Sequence, residues 1–319
     1  MLENTFNWHL DQQLLISLLI LSLLVLERYS LKWLNANFVY KLWLMLPITL
    51  LLANMPEHFK PLPNNVISTM LISPKQGFST TISISWVLVY SAIFSILALT
   101  AIVVHLRFIN QLRLTNLDDK VLIDAHPDMQ LLQSSAVSTP MVIGLFSNQL
   151  VLPTAYTQHI DSTALTLIIE HEKVHIKRAD NLFNALALMA TLLIWFNPLA
   201  WLGYMSFRRL QELSCDEKVL TNKTTQQRIL YSKALINCAA NSRAGLIAYS
   251  HYGDKNTMLQ RLNQIKHTGN SSMIAKGALL IFAAGMISSF AIAKQPEAIS
   301  KVQAISPIMR IEPIYPIQA

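Results

Sequence analysis

The sequence predicts a mainly α-helical, polytopic membrane protein with about four transmembrane helices and one α+β domain inserted before the last of them. Three observations predict this class. First, 52% of the residues are hydrophobic and only 13% are charged, whereas about a quarter of a typical soluble domain is charged. Second, several apolar runs approach the length of a bilayer crossing and have basic flanks. Third, residues 106–272 mix helical and strand-like patterns.

The first apolar run, residues 12–26, contains no charged residue and leads into Glu27, Arg28 and Lys32. It approaches the ~20 residues that a helix needs to cross a bilayer, so we expect a first span. A cleaved signal peptide is the alternative, but its basic residues would precede the apolar run and a small-residue cleavage site would follow it. The second run, residues 37–53, predicts a second span.

Two further apolar runs predict the third and the last span. Residues 82–105 carry Trp86 and Tyr90 near their start, which is typical of an interfacial aromatic belt. Residues 273–293 are uncharged except for Lys276, which lies close enough to the end for its ammonium group to reach the interface. We therefore expect three spans in an N-terminal membrane domain and one separate C-terminal transmembrane helix.

The charged residues predict how the spans are oriented. The N-terminal tail carries Glu3 and Asp11 but no base, while the segments after the first and third spans are basic, and basic connections stay in the cytoplasm. The membrane domain, residues 1–105, therefore begins outside, residues 106–272 are cytoplasmic, and the tail at 294–319 is outside again. The net charge of +7 does not indicate nucleic-acid binding, because the basic residues flank apolar runs instead of forming one basic face.

One more apolar stretch, residues 181–207, contains no charged residue and is long enough to span. A continuous crossing would place the following chain on the opposite side of the membrane. The pair Asn197 and Pro198 argues against this, because a proline and the residue before it resist continuation of a helix. We expect a hydrophobic helical hairpin that dips into the membrane or packs against the spans and returns the chain to the cytoplasm.

The segment HEKVH places His171 and His175 four positions apart, and on a helix this spacing puts both imidazoles on one face. Two imidazoles in that arrangement can bind one zinc ion. Asp161 or Ser162 is expected to cap the helix, which then shows apolar residues at helical spacing before the motif. The alternative is a solvated helix surface with incidental histidines.

A catalytic zinc usually has three protein ligands and an open position for water. Glu212, in the segment ELSCD, is the candidate third ligand, with Glu217 as a nearby alternative acid. Asp216 lies four residues after Glu212 and therefore on the same helix face, where it can accept the other ring N–H of a ligand histidine. Asp180 is a weaker candidate for the same role.

The motif also supplies a group for chemistry. Glu172 follows the first histidine and can act as general base on a water bound to zinc, which implies peptide hydrolysis. The sequence does not single out a residue to stabilise the oxyanion, and four candidates stay open: Tyr231, Tyr249, His251 and Arg209.

Strand-like runs lie between the third span and the motif, at residues 120–125, around Gly144 and at Leu150–Leu152. One of them could hold an extended substrate by strand addition, or together they could form a small hairpin that only covers the helices. Residues 253–265 predict an amphipathic helix that leads into the last span. Its expected inward residues are Met258, Leu259, Leu262 and Ile265.

Several of these segments in combination resemble the BlaR/MecR-type integral membrane zinc metallopeptidases. The resemblance covers residues 10–295 and rests on STPMVIGLFSNQLVLP, HEKVH followed by Arg178 and Asp180, the NP pair, and RRLQELSCDEKVL. It implies a gluzincin-type protease domain on the cytoplasmic side of the inner membrane of a bacterium. Relatives have four spans and an extracytoplasmic sensor.

The resemblance also implies the roles of the site residues. His171, His175 and Glu212 match the zinc ligands of the family, and Glu172 matches its general base. The implied cofactor is Zn²⁺.

The segment after the last predicted span departs from the antibiotic-sensing members. Residues 294–319 contain no SxxK motif, so β-lactam sensing is not supported. The end of the tail, RIEPIYPIQA, is similar to the opening of the TonB C-terminal domain, which implies a TonB-like periplasmic partner. A proline-containing disordered tail is the alternative.

Two classes of function follow. The first is a membrane zinc endopeptidase that cuts a cytoplasmic protein, such as a transcriptional repressor or itself, in signal transduction. The second is a non-enzymatic transducer, or a TonB-linked energy-coupling component, with a structural metal site. Glu172 favours the first, because a structural site does not need a general base. An HtpX-type quality-control protease fits less well, since three spans precede the motif. The oligomeric state is open, with a homodimer as one arrangement.

Overall fold

A computed structural model of the protein describes residues 2–31, 33–54, 84–145, 149–154, 156, 161–241, 255–266 and 273–293. Tyr249, His251 and the tail at 294–319 lie outside the described residues, so the TonB-like partner stays a prediction, as does the homodimer. The chain divides into two compact units, Met1–Leu46 with Thr80–Ala283, and Pro47–Ser79 with Ala284–Ala319. Every contact that builds the candidate site lies in the first unit.

Helices dominate the described chain, as the sequence predicts. The helices are α1 (Leu2–Ser30), α2 (Ala36–Lys41), a 3₁₀ turn (Leu42–Leu44), α3 (Met45–Ala53), α4 (Ile84–Gln111), α5 (Lys120–Ala125), α6 (Ser162–Arg178), α7 (Asp180–Leu193), α8 (Pro198–Leu220), α9 (Thr225–Asn241), α10 (Lys255–Lys266) and α11 (Met273–Ala293). The strands are β1 (Thr115–Asn116), β2 (Gln130–Ser134), β3 (Met141–Ile143) and β4 (Gln149–Pro153).

Within the described residues, two helical segments are long and apolar enough to cross a membrane, Gln12–Ser30 in α1 and Trp86–Gln111 in α4. They correspond to the first and third predicted spans. The second predicted span contains a 3₁₀ turn between α2 and α3, and its apolar part, Ala36–Leu52, is shorter. The apolar segment found in α11, Lys276–Gly285, is shorter still. Four spans therefore stay a prediction.

The strands form one four-stranded sheet in the order β1-β2-β4-β3, in which β2 and β4 are parallel and the other pairs are antiparallel. The strands predicted around Gly144 and at Leu150–Leu152 correspond to β3 and β4. The strand predicted at residues 120–125 is wrong, because that segment forms α5. The Asp119 carboxylate caps this helix by accepting a hydrogen bond from the Leu122 backbone N–H.

Helix α6 is packed on both sides. Leu165 and Ile169 contact the sheet residues Leu150 and Leu152 in one apolar cluster. The opposite face of α6 joins a second cluster with buried side chains of α8, α9 and α10. The motif helix is therefore held between the sheet and the later helices.

The predicted break in the apolar stretch 181–207 is present. Helix α7 ends at Leu193, and α8 begins at Pro198, where the Asn197 side chain caps the new helix by accepting from the Leu199 N–H. At the other end, only Ala179 separates α6 from α7, and it adopts the left-handed conformation with φ 53°.

The amphipathic helix predicted at residues 253–265 is α10. Met258 and Ile265 are buried and Leu262 is partly buried, as predicted, but Leu259 is 51% exposed. Residues 253 and 254 lie outside the part of the chain that the structure describes. Unexpectedly for a charged residue, Arg261 of this helix is fully buried.

Candidate metal centre

The HEKVH segment lies in the last turns of α6, as the sequence predicts. Asp161 caps this helix, since its carboxylate accepts from the N–H groups of Thr163 and Ala164. His171 and His175 are buried on one face, with their ring centroids 4.8 Å apart and their Nε2 atoms 3.0 Å apart. The α-helical geometry therefore presents both nitrogens to one point.

Glu212, on α8, faces the same point. Its Oε2 lies 3.4 Å from His171 Nε2, and its Oε1 lies 3.5 Å from His175 Nε2. Neighbouring ligand atoms of a tetrahedral zinc lie ~3.3 Å apart, because each Zn–N or Zn–O bond is about 2.0–2.1 Å long. The structure thus brings the three predicted ligands together at the spacing that such an ion requires.

Asp180 holds the far side of the His175 ring. Its Oδ2 lies 2.7 Å from His175 Nδ1, and Arg178 binds the same carboxylate through Nη2 at 2.5 Å. The Arg178 guanidinium also stacks over the Tyr40 ring of α2, 4.8 Å from its centroid. Because Nδ1–H donates to Asp180, the lone pair of His175 is on Nε2, which faces Glu212.

His171 is held in the same way by different residues. The Tyr231 hydroxyl donates to Asp216 Oδ1 at 2.6 Å and lies 2.9 Å from His171 Nδ1. Since the single hydroxyl proton goes to Asp216, the His171 Nδ1–H donates to the tyrosine oxygen. His171 Nε2 therefore points towards Glu212, and Tyr231 lies on the side of the ring away from the metal position.

Arg261 of α10 is the residue that sequence reasoning missed. Its Nε and Nη2 donate to Asp216 at 2.7 and 2.8 Å, and its Nη1 lies 3.0 Å from Glu212 Oε2. The signal was available in the spacing: Arg261 stands three residues after Met258 and four before Ile265, on the inward face of the helix. A charge on that face needs buried partners, and the two acids of α8 supply them.

The buried charges shift the pKa values of the site. Burial opposes ionisation of Asp216, but the Arg261 guanidinium outweighs it and lowers the Asp216 pKa to about 2. Burial likewise disfavours charged His171, yet the Asp216 and Glu212 carboxylates raise its pKa to about 9. A metal ion at this position would face a negative environment, because the single Arg261 guanidinium offsets only part of the charge of the Glu212 and Asp216 carboxylates.

Glu172 is 5% exposed, and it lies close enough to both motif histidines for their charge to act on it. Burial raises the pKa of its carboxyl group, the imidazoles oppose this rise, and Glu212 adds to it. Of the oxyanion candidates, Arg209 is engaged elsewhere, since its Nη2 lies 2.5 Å from Glu27 Oε1.

A different ligand set is also close in space, because ligand atoms of His171, His175 and Cys215 all lie within 4.8 Å of one another. The Cys215 Sγ, however, is 3.6 Å from His175 Nδ1, the nitrogen that binds Asp180. Burial also raises the pKa of its thiol well above the usual value, although Arg178 opposes the shift. The geometry therefore favours Glu212 over Cys215 beside the two Nε2 atoms.

The residues fit a metal ion. The Nε2 atoms of the two imidazoles lie 3.0 Å apart, and each lies within 3.5 Å of an oxygen of the Glu212 carboxylate. Two nitrogens and one carboxylate are also the donor set that zinc accepts in catalytic sites.

Comparison with known proteins identifies related sequences. The Methicillin resistance mecR1 proteins of Staphylococcus aureus and Staphylococcus epidermidis are each 32% identical to this chain over 106 residues, which is 33% of this chain and 18% of theirs. The Regulatory protein BlaR1 of Bacillus licheniformis is 24% identical over 179 residues, 55% of this chain and 30% of that protein. The aligned part of the chain thus spans less than a third of these relatives.

The family described as BlaR1 peptidase M56 matches residues 9–265, which include α6, α7 and α8 and both apolar spans. This match extends over most of the chain and confirms the resemblance to BlaR/MecR-type peptidases. The chain belongs to the BlaR1 peptidase M56 family, a family of membrane-associated metallopeptidases.

Proposed function

We propose that the protein is a membrane-embedded, zinc-dependent endopeptidase that cuts a cytoplasmic protein during signal transduction. One observation carries the proposal: the Nε2 atoms of His171 and His175 and the Glu212 carboxylate converge beside the buried Glu172. Two imidazoles and one carboxylate leave a fourth zinc position open for water, which is the arrangement of hydrolytic sites.

His171, His175 and Glu212 would hold the zinc ion, and a bound zinc ion lowers the pKa of its water to about 7. Asp180 and Tyr231 keep protons on the two Nδ1 atoms, so that both Nε2 lone pairs stay available. These contacts also fix the planes of both rings.

Glu172 is the general base in this proposal. Its carboxylate takes a proton from the attacking water and delivers that proton to the nitrogen of the leaving amine. The burial that raises its pKa supports this role, because a more basic carboxylate accepts the proton more readily.

We further propose the four-span topology, in the inner membrane of a bacterium, with the N-terminus outside and residues 106–272 in the cytoplasm. The two long apolar helices and the basic residues that follow them support it. Alkaline phosphatase, which needs the oxidising side of the membrane, tests it. A fusion after Asn54 should be active and a fusion after Asp118 inactive, and the reverse pattern would refute the orientation.

The substrate class that we propose is a transcriptional repressor or the chain itself. Its support is the regulatory and resistance names of the relatives, together with the proposed cytoplasmic side of the site. Co-expression of the chain with a candidate transcriptional repressor, followed by mass spectrometry of both proteins, would identify a cut.

Metal analysis of the purified full-length chain tests the site itself. We expect about one zinc per chain in the wild type and in Glu172→Gln, with hydrolysis of a protein substrate lost only in the variant. Glu212→Ala should lose zinc. Glu170→Gln, on the same helix but 41% exposed in its side chain, is the matched control and should retain both. Full zinc affinity in Glu212→Ala would exclude this ligand set, and hydrolysis by Glu172→Gln would leave the structural-metal transducer as the better function.

A further inference from the structure

The helix α7 has an unusual distribution of polarity. Its large exposed side chains are all apolar, whereas its buried positions include polar residues. The exposed residues are Phe183, Leu186, Met189 and Leu193, and the buried polar residues are Asp180, Asn184 and Thr191. A helix on the surface of a soluble protein shows the opposite arrangement, with its polar face outward. The outer face of α7 therefore requires an apolar environment.

Helix α8 runs alongside α1 and contacts most of the apolar segment of α1. At the start of α8, the Asn197 side chain donates to Ser17 Oγ at 2.8 Å and to Gln13 Oε1 at 3.3 Å. Both partners lie near the beginning of the apolar segment Gln12–Ser30. The tip of the hairpin between α7 and α8 thus reaches the level at which this span begins.

Further along, α8 and α1 stay in contact. Gly203 approaches Ile20 so closely that an added Cβ would lie 3.1 Å from its Cγ2. Two turns later, Arg209 forms an ion pair with Glu27, near the end of the same span. The two helices therefore run side by side from Ser17 to Glu27.

The tip of the hairpin also contacts the second span. The Tyr90 hydroxyl of α4 donates to the Leu193 carbonyl, and the rings of Tyr90 and Phe196 lie 6.3 Å apart. Tyr90 stands near the start of the segment Trp86–Gln111, of which only 6% is buried. Since both spans meet the same tip near their N-terminal ends, the hairpin lies at the depth of the bilayer.

We propose that the α7–α8 hairpin is embedded in the bilayer and that lipid acyl chains cover the apolar face formed by Phe183, Leu186, Met189 and Leu193. Helix α7 has 14 residues and is therefore ~21 Å long, which is less than the ~30 Å of the hydrocarbon core. The hairpin enters the membrane deeply and returns without crossing it. The inference uses the membrane location of the proposed function but not its chemistry.

This placement puts the metal centre at the membrane surface. Asp180, which holds His175, is the first residue of α7, and Glu212 follows Arg209 by one helical turn. The proposed site therefore acts on protein segments that lie next to the membrane.

Spin labels measure the depth of the hairpin. The full chain would be reconstituted into phosphatidylcholine vesicles with one added cysteine, at Leu186 in α7, at Ile96 in α4 or at Val121 in α5. These positions are 57%, 63% and 82% exposed, so all three can carry a label. The unsubstituted chain gives the background, because its own Cys215 and Cys238 are buried. Relaxation by oxygen, which concentrates in lipid, is compared with relaxation by a water-soluble nickel chelate.

The label in Leu186→Cys should resemble that in Ile96→Cys, with strong relaxation by oxygen and little by the chelate, while Val121→Cys shows the reverse. Strong relaxation of the Leu186→Cys label by the chelate would overturn the proposal. Protection from both reagents would overturn it as well, since a second copy or another protein would then cover this face. Performing the series in the Glu172→Gln background makes the result independent of peptidase activity.

Discussion

Arg261 and Asp216 form a two-point ion pair, 2.7 and 2.8 Å long, in which neither side chain is exposed by more than 2%. The pair joins α10 to α8, and the third nitrogen of the same guanidinium lies 3.0 Å from Glu212. Arg261, far along the chain from HEKVH, thus fixes both the Asp216 carboxylate behind His171 and the candidate ligand Glu212.

We expect Arg261→Met to lower the free energy of unfolding by about 3–5 kcal/mol, because it leaves two buried carboxylates without their partner. We also expect weaker zinc binding, by about 10- to 100-fold, since Glu212 and His171 lose their fixed orientation. Chemical denaturation in detergent and metal competition measure the two effects. The control is Gln260→Met, at the exposed neighbouring position, and equal results for both variants would refute the role of Arg261.

Asp180→Asn should keep the fold but reduce zinc affinity by about 10- to 100-fold. An amide can turn its NH₂ group towards His175 Nδ1, which favours the wrong tautomer and moves the lone pair away from the metal. Competition with a chromophoric chelator gives the affinity. Asp128→Asn, which removes an exposed acid paired with Lys173, should leave it unchanged, and a wild-type affinity in Asp180→Asn would contradict the prediction.

Cys215→Ser distinguishes the two ligand sets around the motif histidines. We expect this variant to bind zinc as tightly as the wild type, because the thiol lies on the Nδ1 side of His175. Cys238→Ser, at the other buried cysteine, controls for the loss of a buried sulfur. Loss of zinc from Cys215→Ser alone would assign the thiolate as a ligand and remove Glu212 from that role.

Gly203→Val should destabilise the contact between α1 and α8 by about 1–3 kcal/mol, because the added side chain must displace Ile20 and Trp43. Gly277→Val is the matched control, since an added Cβ at Gly277 meets nothing within 4 Å. Thermal unfolding in detergent compares them. If this steric explanation holds, adding Ile20→Ala should partly restore the thermal stability of Gly203→Val. A double variant no more stable than Gly203→Val would count against the explanation.

Local patterns in the sequence predicted the elements that depend on local chemistry. The proline after Asn197 predicted the break between α7 and α8, and the spacing of His171 and His175 predicted a shared helix face. The position of Glu212 could not be predicted from local patterns alone, since its approach to the histidines depends on how α8 packs against α6. The ExxxD pattern nevertheless placed Glu212 and Asp216 on one face of a helix.

The remaining features depend on tertiary contacts that residue patterns do not encode. Residues 120–125 have strand-like side chains, but they form a helix that the Asp119 carboxylate caps. The spacing of Arg261 to Met258 and Ile265 indicates its inward face, but its partners on α8 depend on the tertiary fold. Tyr231 is a candidate for the oxyanion by residue type, but its hydroxyl lies between Asp216 and the His171 imidazole.

A single residue, Ala179, links α6 to α7. No flexible linker therefore separates the helix of the two histidines from the helix proposed to lie in lipid. Helices tilt when the thickness of the surrounding bilayer changes, and a tilt of α7 would move the Asp180 carboxylate against His175. Mechanical stress in the bilayer would therefore be transmitted through α7 and Asp180 to the ring nitrogen of His175, a candidate ligand.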